Sequence, residues 1–259
     1  MATEGGQVSE PVVRELRDVE DMEDVRLLFD RIWGPDPGGA AVTVELLRAL
    51  AHSGNYVAGA YQGGTLVGAS VGFLGRPAGE VLHSHITGAA SGRGIGLALK
   101  LHQREWALRH GLARITWTFD PLVRRNAHFN LAKLGARPEE YLTSFYGPMD
   151  DAINAGDESD RLLAVWRLAE AHPAVAVPAG TPMALGVRDG LPVAGAVDGA
   201  GTVLVALPED IEGMRRRDPG AAKAWRHALR EVLGGLMVAG GRVTGFHDKS
   251  YYVVERGAL

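Results

Sequence analysis

The run Gly88-Ala89-Ala90-Ser91-Gly92-Arg93-Gly94-Ile95-Gly96 constrains this chain more than any other segment. It follows a β-type stretch, Val81 to Thr87, and opens a helical pattern from Ile95 to about His110. Glycines at a strand-to-helix junction let the backbone approach a ligand closely and leave N–H groups aimed at it. The positive end of the helix adds attraction for an anion, so the segment reads as a cradle for the phosphate or pyrophosphate of a nucleotide-like cofactor. Spacing excludes two common forms of such a loop. A dinucleotide fingerprint needs a third glycine where Leu97 stands, and no Gly-Lys-Ser/Thr triplet marks a P-loop.

Composition narrows the classes further. The chain has 259 residues, enough for one large domain or two small ones. It is 46% hydrophobic and 22% charged, the balance of an ordinary globular protein with ample core material. A net charge of −4 gives no electrostatic grip on nucleic acid. The densest basic run, Arg215-Arg216-Arg217, reads as a solvated helix face beside Glu209, Asp210, Glu212 and Asp218. The absence of cysteine excludes disulfides, thiolate metal sites and a cysteine nucleophile. No apolar run approaches the ~20 residues that a membrane helix needs. The polar stretch Met1 to Glu10 has neither signal-peptide nor transit-peptide character, so a cytoplasmic protein without membrane partners is expected.

The glycine run resembles the acyl-CoA loop of the GNAT (GCN5-related N-acetyltransferase) superfamily, Gln/Arg-x-x-Gly-x-Gly/Ala. Here it reads Ser91-Gly92-Arg93-Gly94-Ile95-Gly96, departing from the pattern at its first position and offering Arg93 as a cation. Beyond the helix, Arg114-Ile115-Thr116-Trp117-Thr118-Phe119-Asp120 reads as a strand. The segment Asn126 to Ala136 then resembles the superfamily's second signature, a short Asn/Ala-rich helix ending in Leu-Gly. Trp117 to Leu122 and Arg125 to Asn130 are similar to a distinct bacterial branch, some of whose relatives are thought to succinylate amino acids. The resemblance runs from about Val12 to Gly147.

It implies an α/β chain with a mixed α+β sheet, the GNAT acyl-CoA transferase fold followed by a C-terminal α/β extension. The expected organisation is a tail over 1–10, an acyl-CoA-binding core over 11–150, a connector over 151–161 and an extension over 162–259 packed on the core. Within the core, Val12 to Leu16 reads as a strand, and Asp18 and Thr43 are candidate caps for helices ending near Trp33 and Ala51. Tyr56 to Tyr61 and Leu66 to Leu74 form a hairpin about Gly63-Gly64, and Tyr141 to Tyr146 belong to the last core strand. In the extension, Thr202 to Ala206, Arg242 to Phe246 and Tyr251 to Val254 read as strands. Helices are expected from Pro208 and over Ala221 to Ala239, while Ala174-Val175-Ala176-Val177 and Val203-Leu204-Val205 suggest burial.

The resemblance assigns acyl-CoA binding, with acetyl-CoA or succinyl-CoA as donor, to Ile86, Thr87 and Gly88 and to the loop Gly92, Arg93, Gly94, Ile95, Gly96 and Leu97. Asn126 and Lys133 are further candidate contacts. In Leu82-His83-Ser84-His85 the two histidines share one strand face, and either is suited to take the proton of an attacking amine. Two histidines without a third ligand at recognisable spacing give no metal site. Asp120 either orients the amine or caps the turn before Pro121. Many members carry a tyrosine on the short helix to protonate the thiolate; counting back from Leu134-Gly135 that place holds Leu131, which leaves His128, Tyr141 and Tyr146 as candidate acids. Arg124 or Arg125 would serve a succinyl carboxylate, and Pro35 to Gly39 and Arg76 to Glu80 are candidate walls of the acceptor pocket. The expected activity is N-acylation of a small amine, an amino acid among the candidates, by a monomer or homodimer. A non-catalytic acyl-CoA-binding module, O-acylation and decarboxylation are the alternatives.

Overall fold

Short alternating apolar runs separated by glycine turns build a mixed α/β structure. The computed structural model describes residues 10–34, 42–89, 94–147, 157–171 and 175–257, in two compact units, Met1–Ile115 and Thr116–Leu259. In the first unit β1 (Val12–Glu15), β2 (Tyr56–Gln62), β3 (Thr65–Leu74) and β4 (Val81–Ala89) run antiparallel in the order β1-β2-β3-β4. The β2–β3 hairpin turns on Gly63 and Gly64, both at positive φ, as the tight turn between twisted strands requires.

Three helices accompany this sheet: α1 (Val19–Trp33), α2 (Val44–His52) and α3 (Ile95–Arg109). Thr43 caps α2 by accepting the Leu46 N–H at 3.3 Å, whereas Asp18 precedes α1 without a side-chain cap bond. Met22, Val25, Leu28 and Phe29 of α1 and Leu47 of α2 bury against Val57, Ala69 and Val71 of the sheet. Ile95 and Leu99 of α3 cluster with Ala60. β4 continues past Thr87 through Gly88-Ala89, and Gly88 has no room for a side chain. A Cβ there would lie 2.6 Å from the Trp33 ring and 2.9 Å from Ile32.

The second unit holds β5 (Arg114–Phe119), which begins at the unit boundary, β6 (Arg137–Leu142) and β7 (Arg161–Arg167), in the order β5-β7-β6. β7 pairs antiparallel with β6, so the strand that starts the expected extension is built into the same sheet. A second sheet has the order β11-β12-β10-β8-β9, from β8 (Met183–Arg188), β9 (Leu191–Ala194), β10 (Thr202–Ala206), β11 (Arg242–His247) and β12 (Tyr251–Glu255). Its β8–β10 pair is parallel and the others are antiparallel. The unit also contains α4 (Arg124–Ala127), α5 (Ile211–Arg217), α6 (Pro219–Leu229) and α7 (Gly235–Val238). The fully buried Trp225 donates its indole N–H to the Gly190 carbonyl at 2.8 Å. Tyr252 likewise donates its hydroxyl to the Pro121 carbonyl at 2.8 Å. Buried Trp and Tyr side chains need such partners for their polar ends.

Four expectations change. The last core strand ends at Leu142, and residues 143–146 form a turn with Ser144 at positive φ. The short helix after Asp120 is α-helical only over Arg124–Ala127 and continues as a π-helical turn over His128–Lys133. A second π-helical turn, Arg230–Gly234, joins α6 to α7. Val175 and Val177 are half-buried and Ala176 is exposed, with Val175 lying against Gly245, while Ala174 is outside the described residues. Among the described residues no helix is long and apolar enough to cross a membrane.

Candidate active site

In a regular ladder the residues of β4 would pair one for one with β3. Instead Val71 pairs with Ile86 and the next residue, Gly72, pairs with Ser84, which leaves His85 as the extra residue of a β-bulge. Bulges bend a strand and re-aim the side chain they carry. The imidazoles of His83 and His85 both lie against Phe73, with ring centroids 5.1 and 5.8 Å away. Burial pushes the His83 pKa down to about 4, assisted by His85 and by the charge of Lys100. Burial also lowers the more open His85. Both rings are therefore neutral near pH 7, the form that accepts a proton.

Behind the bulge lies a polar chain that the sequence reading missed. Lys100 of α3 donates its Nζ to Ser84 Oγ at 2.9 Å and to Gln103 Oε1 at 3.2 Å. Gln103 Nε2 donates to Ser70 Oγ at 3.3 Å, and Ser70 shares a 2.8 Å hydrogen bond with Thr87 Oγ1. The spacing Leu99, Lys100, Gln103, Trp106, Ala107 is that of one buried helix face, so two polar residues on an otherwise apolar stripe were the available signal. Burial lowers the Lys100 pKa to about 7.

The glycine loop leads into this same face. Gly94 caps α3 at φ +87°, a left-handed conformation that favours glycine. It makes no side-chain cap bond, and the first turn of α3 carries no acidic residue. The first-turn N–H groups at Ile95, Gly96 and Leu97 have no acceptor within the helix, the condition that anion binding exploits. Ile86 packs on the α1–α2 core and Thr87 faces Ser70. Gly92 and Arg93 lie outside the described residues, as do Pro35 to Gly39.

Asp120, Asn126 and Lys133 belong to the second unit. Asp120 is buried and both its oxygens are engaged. Oδ1 accepts the Leu122 N–H at 2.9 Å, which is the turn-capping role, and Arg226 Nη1 at 3.0 Å. Oδ2 accepts Arg226 Nη2 at 3.1 Å and Arg215 Nη2 at 2.5 Å. Burial opposes ionisation of Asp120, but the two guanidiniums outweigh it and hold the carboxyl well below the usual range. A carboxylate so occupied anchors its surroundings and has no oxygen left for an incoming amine.

Asp157 joins the cluster by accepting from Arg226 at 2.9 Å and from Arg215 at 3.1 Å. Arg230 is paired with Asp160 at 2.7 Å and with Glu158. Arg215 is therefore buried, contrary to the solvated face expected of its run, while Arg216 and Arg217 are exposed. Asn126 is half-buried and Lys133 exposed.

Arg125 is paired with Glu212, whereas Arg124 donates to the Leu207 carbonyl. Leu131 is buried. Of the candidate acids, Tyr141 donates to Asp160 at 2.8 Å and Tyr146 shares a 3.0 Å bond with Thr118. His128 has a buried Nδ1 without a hydrogen-bond partner among the described residues. A cavity of about 310 Å³ in this unit, lined by Ala184, Leu236 and Arg256 among others, touches none of the expected site residues. No group of three or more metal-ligating side chains occurs among the described residues.

No protein-family model and no curated protein matches the sequence. Solved structures do match. A Desulfovibrio desulfuricans protein described as an acetyltransferase of the GNAT family is 17% identical, with a TM-score of 0.50, and the match covers 62% of this chain and 100% of that one. The Escherichia coli ribosomal-protein-S18-alanine N-acetyltransferase is 11% identical with a TM-score of 0.50, covering 65% of this chain and 100% of its own. More than a third of the chain lies outside either match.

Proposed function

From the premise that this chain has the GNAT fold, with a C-terminal extension carrying a second sheet, we propose that it is an acyl-CoA-dependent N-acyltransferase for a small amine. The observation that carries the reading is the junction of β4 and α3. A bulged strand bearing two neutral imidazoles is followed by a glycine-led helix whose first turn, among the described residues, carries no side-chain cap bond and no acidic residue. The N–H groups of that turn suit a diphosphate, and a glycine at position 96 leaves open space for one.

The donor supplies an activated acyl group through its thioester. The acceptor nitrogen bonds to the carbonyl carbon, the C–S bond breaks, and the sulfur leaves with its electron pair. His83 or His85 takes the proton released by the amine. Holding both reactants in register contributes up to ~7–11 kcal/mol when the geometry is close to attack. Asp120 is not assigned to this step, because its oxygens are filled by Arg215, Arg226 and the Leu122 N–H.

The test is thiol release from acetyl-CoA and succinyl-CoA against pooled amino acids and polyamines. Acceptor-dependent release is expected with at least one donor. Silence with both, together with tight CoA binding by titration, would replace the enzyme with an acyl-CoA-binding module.

A further inference from the structure

We propose that Lys100 is a positioning residue for this reaction centre: with Gln103 it brackets the β4 bulge from the α3 side and fixes where His83 and His85 stand. The proposal rests on the acyltransferase reading for the reaction centre, and on the hydrogen bonds alone for the bracket.

Ser84 and Thr87 are three residues apart, so a regular strand would turn their side chains to opposite faces. The extra residue, His85, returns both hydroxyls to the same side. There they meet a single connected chain, from Ser84 through Lys100, Gln103 and Ser70 to Thr87. The two ends of the chain grip β4 on either side of the bulge. Ser70 and Gln103 are fully buried, and Ser84 and Lys100 nearly so. Water cannot stand in for a lost partner at such positions, so each group depends on the others.

The lysine is the informative member. A methionine would fill a similar volume with no cost of burying an amine. Lysine adds several directed donors and a charge close to His83. The chain is not a proton path, because a relay through Gln103 would turn its amide into the unfavourable imidic-acid tautomer. The charged groups that act on His83 include His85 from its own strand and Lys100 from α3, while Phe73 of β3 lies against its ring. Lys100 is protonated at the pH where His83 titrates, so it holds the imidazole neutral to lower pH.

The experiment follows the imidazole signals of His83 and His85 by NMR against pH in the full chain, in Lys100→Met and in Ser84→Ala, with kcat/KM profiles alongside. Lys100→Met is expected to raise the His83 midpoint by about half to one pH unit and to move the His85 signals. It should lower kcat and carry the acid limb of kcat/KM upward by the same shift, with the Kd for CoA unchanged. Ser84→Ala keeps the charge but cuts the bracket, so it should move the His85 signals and leave the His83 midpoint in place. Unchanged His83 and His85 signals in a folded Lys100→Met protein overturn the proposal. If that variant does not fold, unchanged His85 signals in Ser84→Ala overturn it instead. Loss of the acyltransferase reading shows separately, as a full chain that turns over no donor while its imidazole signals still respond to Lys100→Met.

Discussion

Arg226 meets Asp120 with both terminal nitrogens, at 3.0 and 3.1 Å, although the two residues stand 106 positions apart in sequence. The pair is the centre of a buried cluster that also holds Arg215 and Asp157. Removing Asp120 leaves two buried guanidiniums to share Asp157, a far larger penalty than the pair's net contribution. Asp120→Asn should therefore destabilise the protein by about 3–5 kcal/mol. Urea unfolding measures it, and a variant within about 1 kcal/mol of the parent would mean the cluster is only loosely engaged.

The same cluster makes stability depend on acid. Burial of Asp120 and Asp160 opposes their ionisation, but the arginines prevail and both carboxyls sit below their ordinary values. A depressed folded-state pKa stabilises above the unfolded value near ~4, and that contribution drains away as pH falls through the folded values. The urea midpoint should hold from neutral pH to about pH 5 and decline progressively below it. Asp120→Asn should flatten the decline; an equally steep curve in the variant would place the acid sensitivity elsewhere.

Two glycines near the β4–α3 junction should behave in opposite ways. Gly88→Ala drives a methyl against Trp33 and Ile32, and should cost about 1–3 kcal/mol by overpacking. Gly96 has open space around its Cβ direction, so Gly96→Leu should leave the melting temperature unchanged or raised. If acyl-CoA lies there, Gly96→Leu should still weaken CoA binding by at least about tenfold, read by titration calorimetry. Intact affinity would remove this helix end from the binding site.

The histidines predict a pH profile. Their lowered pKa values keep the base in its active, neutral form to lower pH than a free histidine would allow. The acid limb of kcat/KM should therefore fall below pH ~6.5. Alanine at the residue that takes the proton should reduce kcat/KM by about 10²–10⁴-fold with CoA affinity retained. A limb at or above ~6.5, or full activity in both His83→Ala and His85→Ala, would assign the proton to another group.

Much of the first unit was legible because its signals are local. Gly63-Gly64 between alternating runs specifies a hairpin, Thr43 a cap, and Gly94 a helix start. What was missed depends on partners distant in sequence. Arg215 resembles its exposed neighbours until it meets Asp120, 95 positions away. Lys100 and Gln103 occupy core positions of α3 where Ser84 and Ser70 receive them. β9 carries Pro192 and lacks a strand's alternation, which an edge strand tolerates and a sequence pattern conceals. The bulge at His85 was equally invisible, since it exists only in the pairing of two strands.

The π-helical turn after α4 changes which side chains stand above one another along that helix. It closes with the Leu134 N–H on the Phe129 carbonyl, five residues back, so the helix has taken in one residue more than an α-helical turn holds. Positions before that turn are displaced by one from where an unbroken α-helix would put them. The slot found by counting back from Leu134 is then not inherited by Leu131 on count alone, and Asn130, also buried, competes for it. Superposition in space, and not a count along the chain, therefore decides which of the two side chains stands at that point.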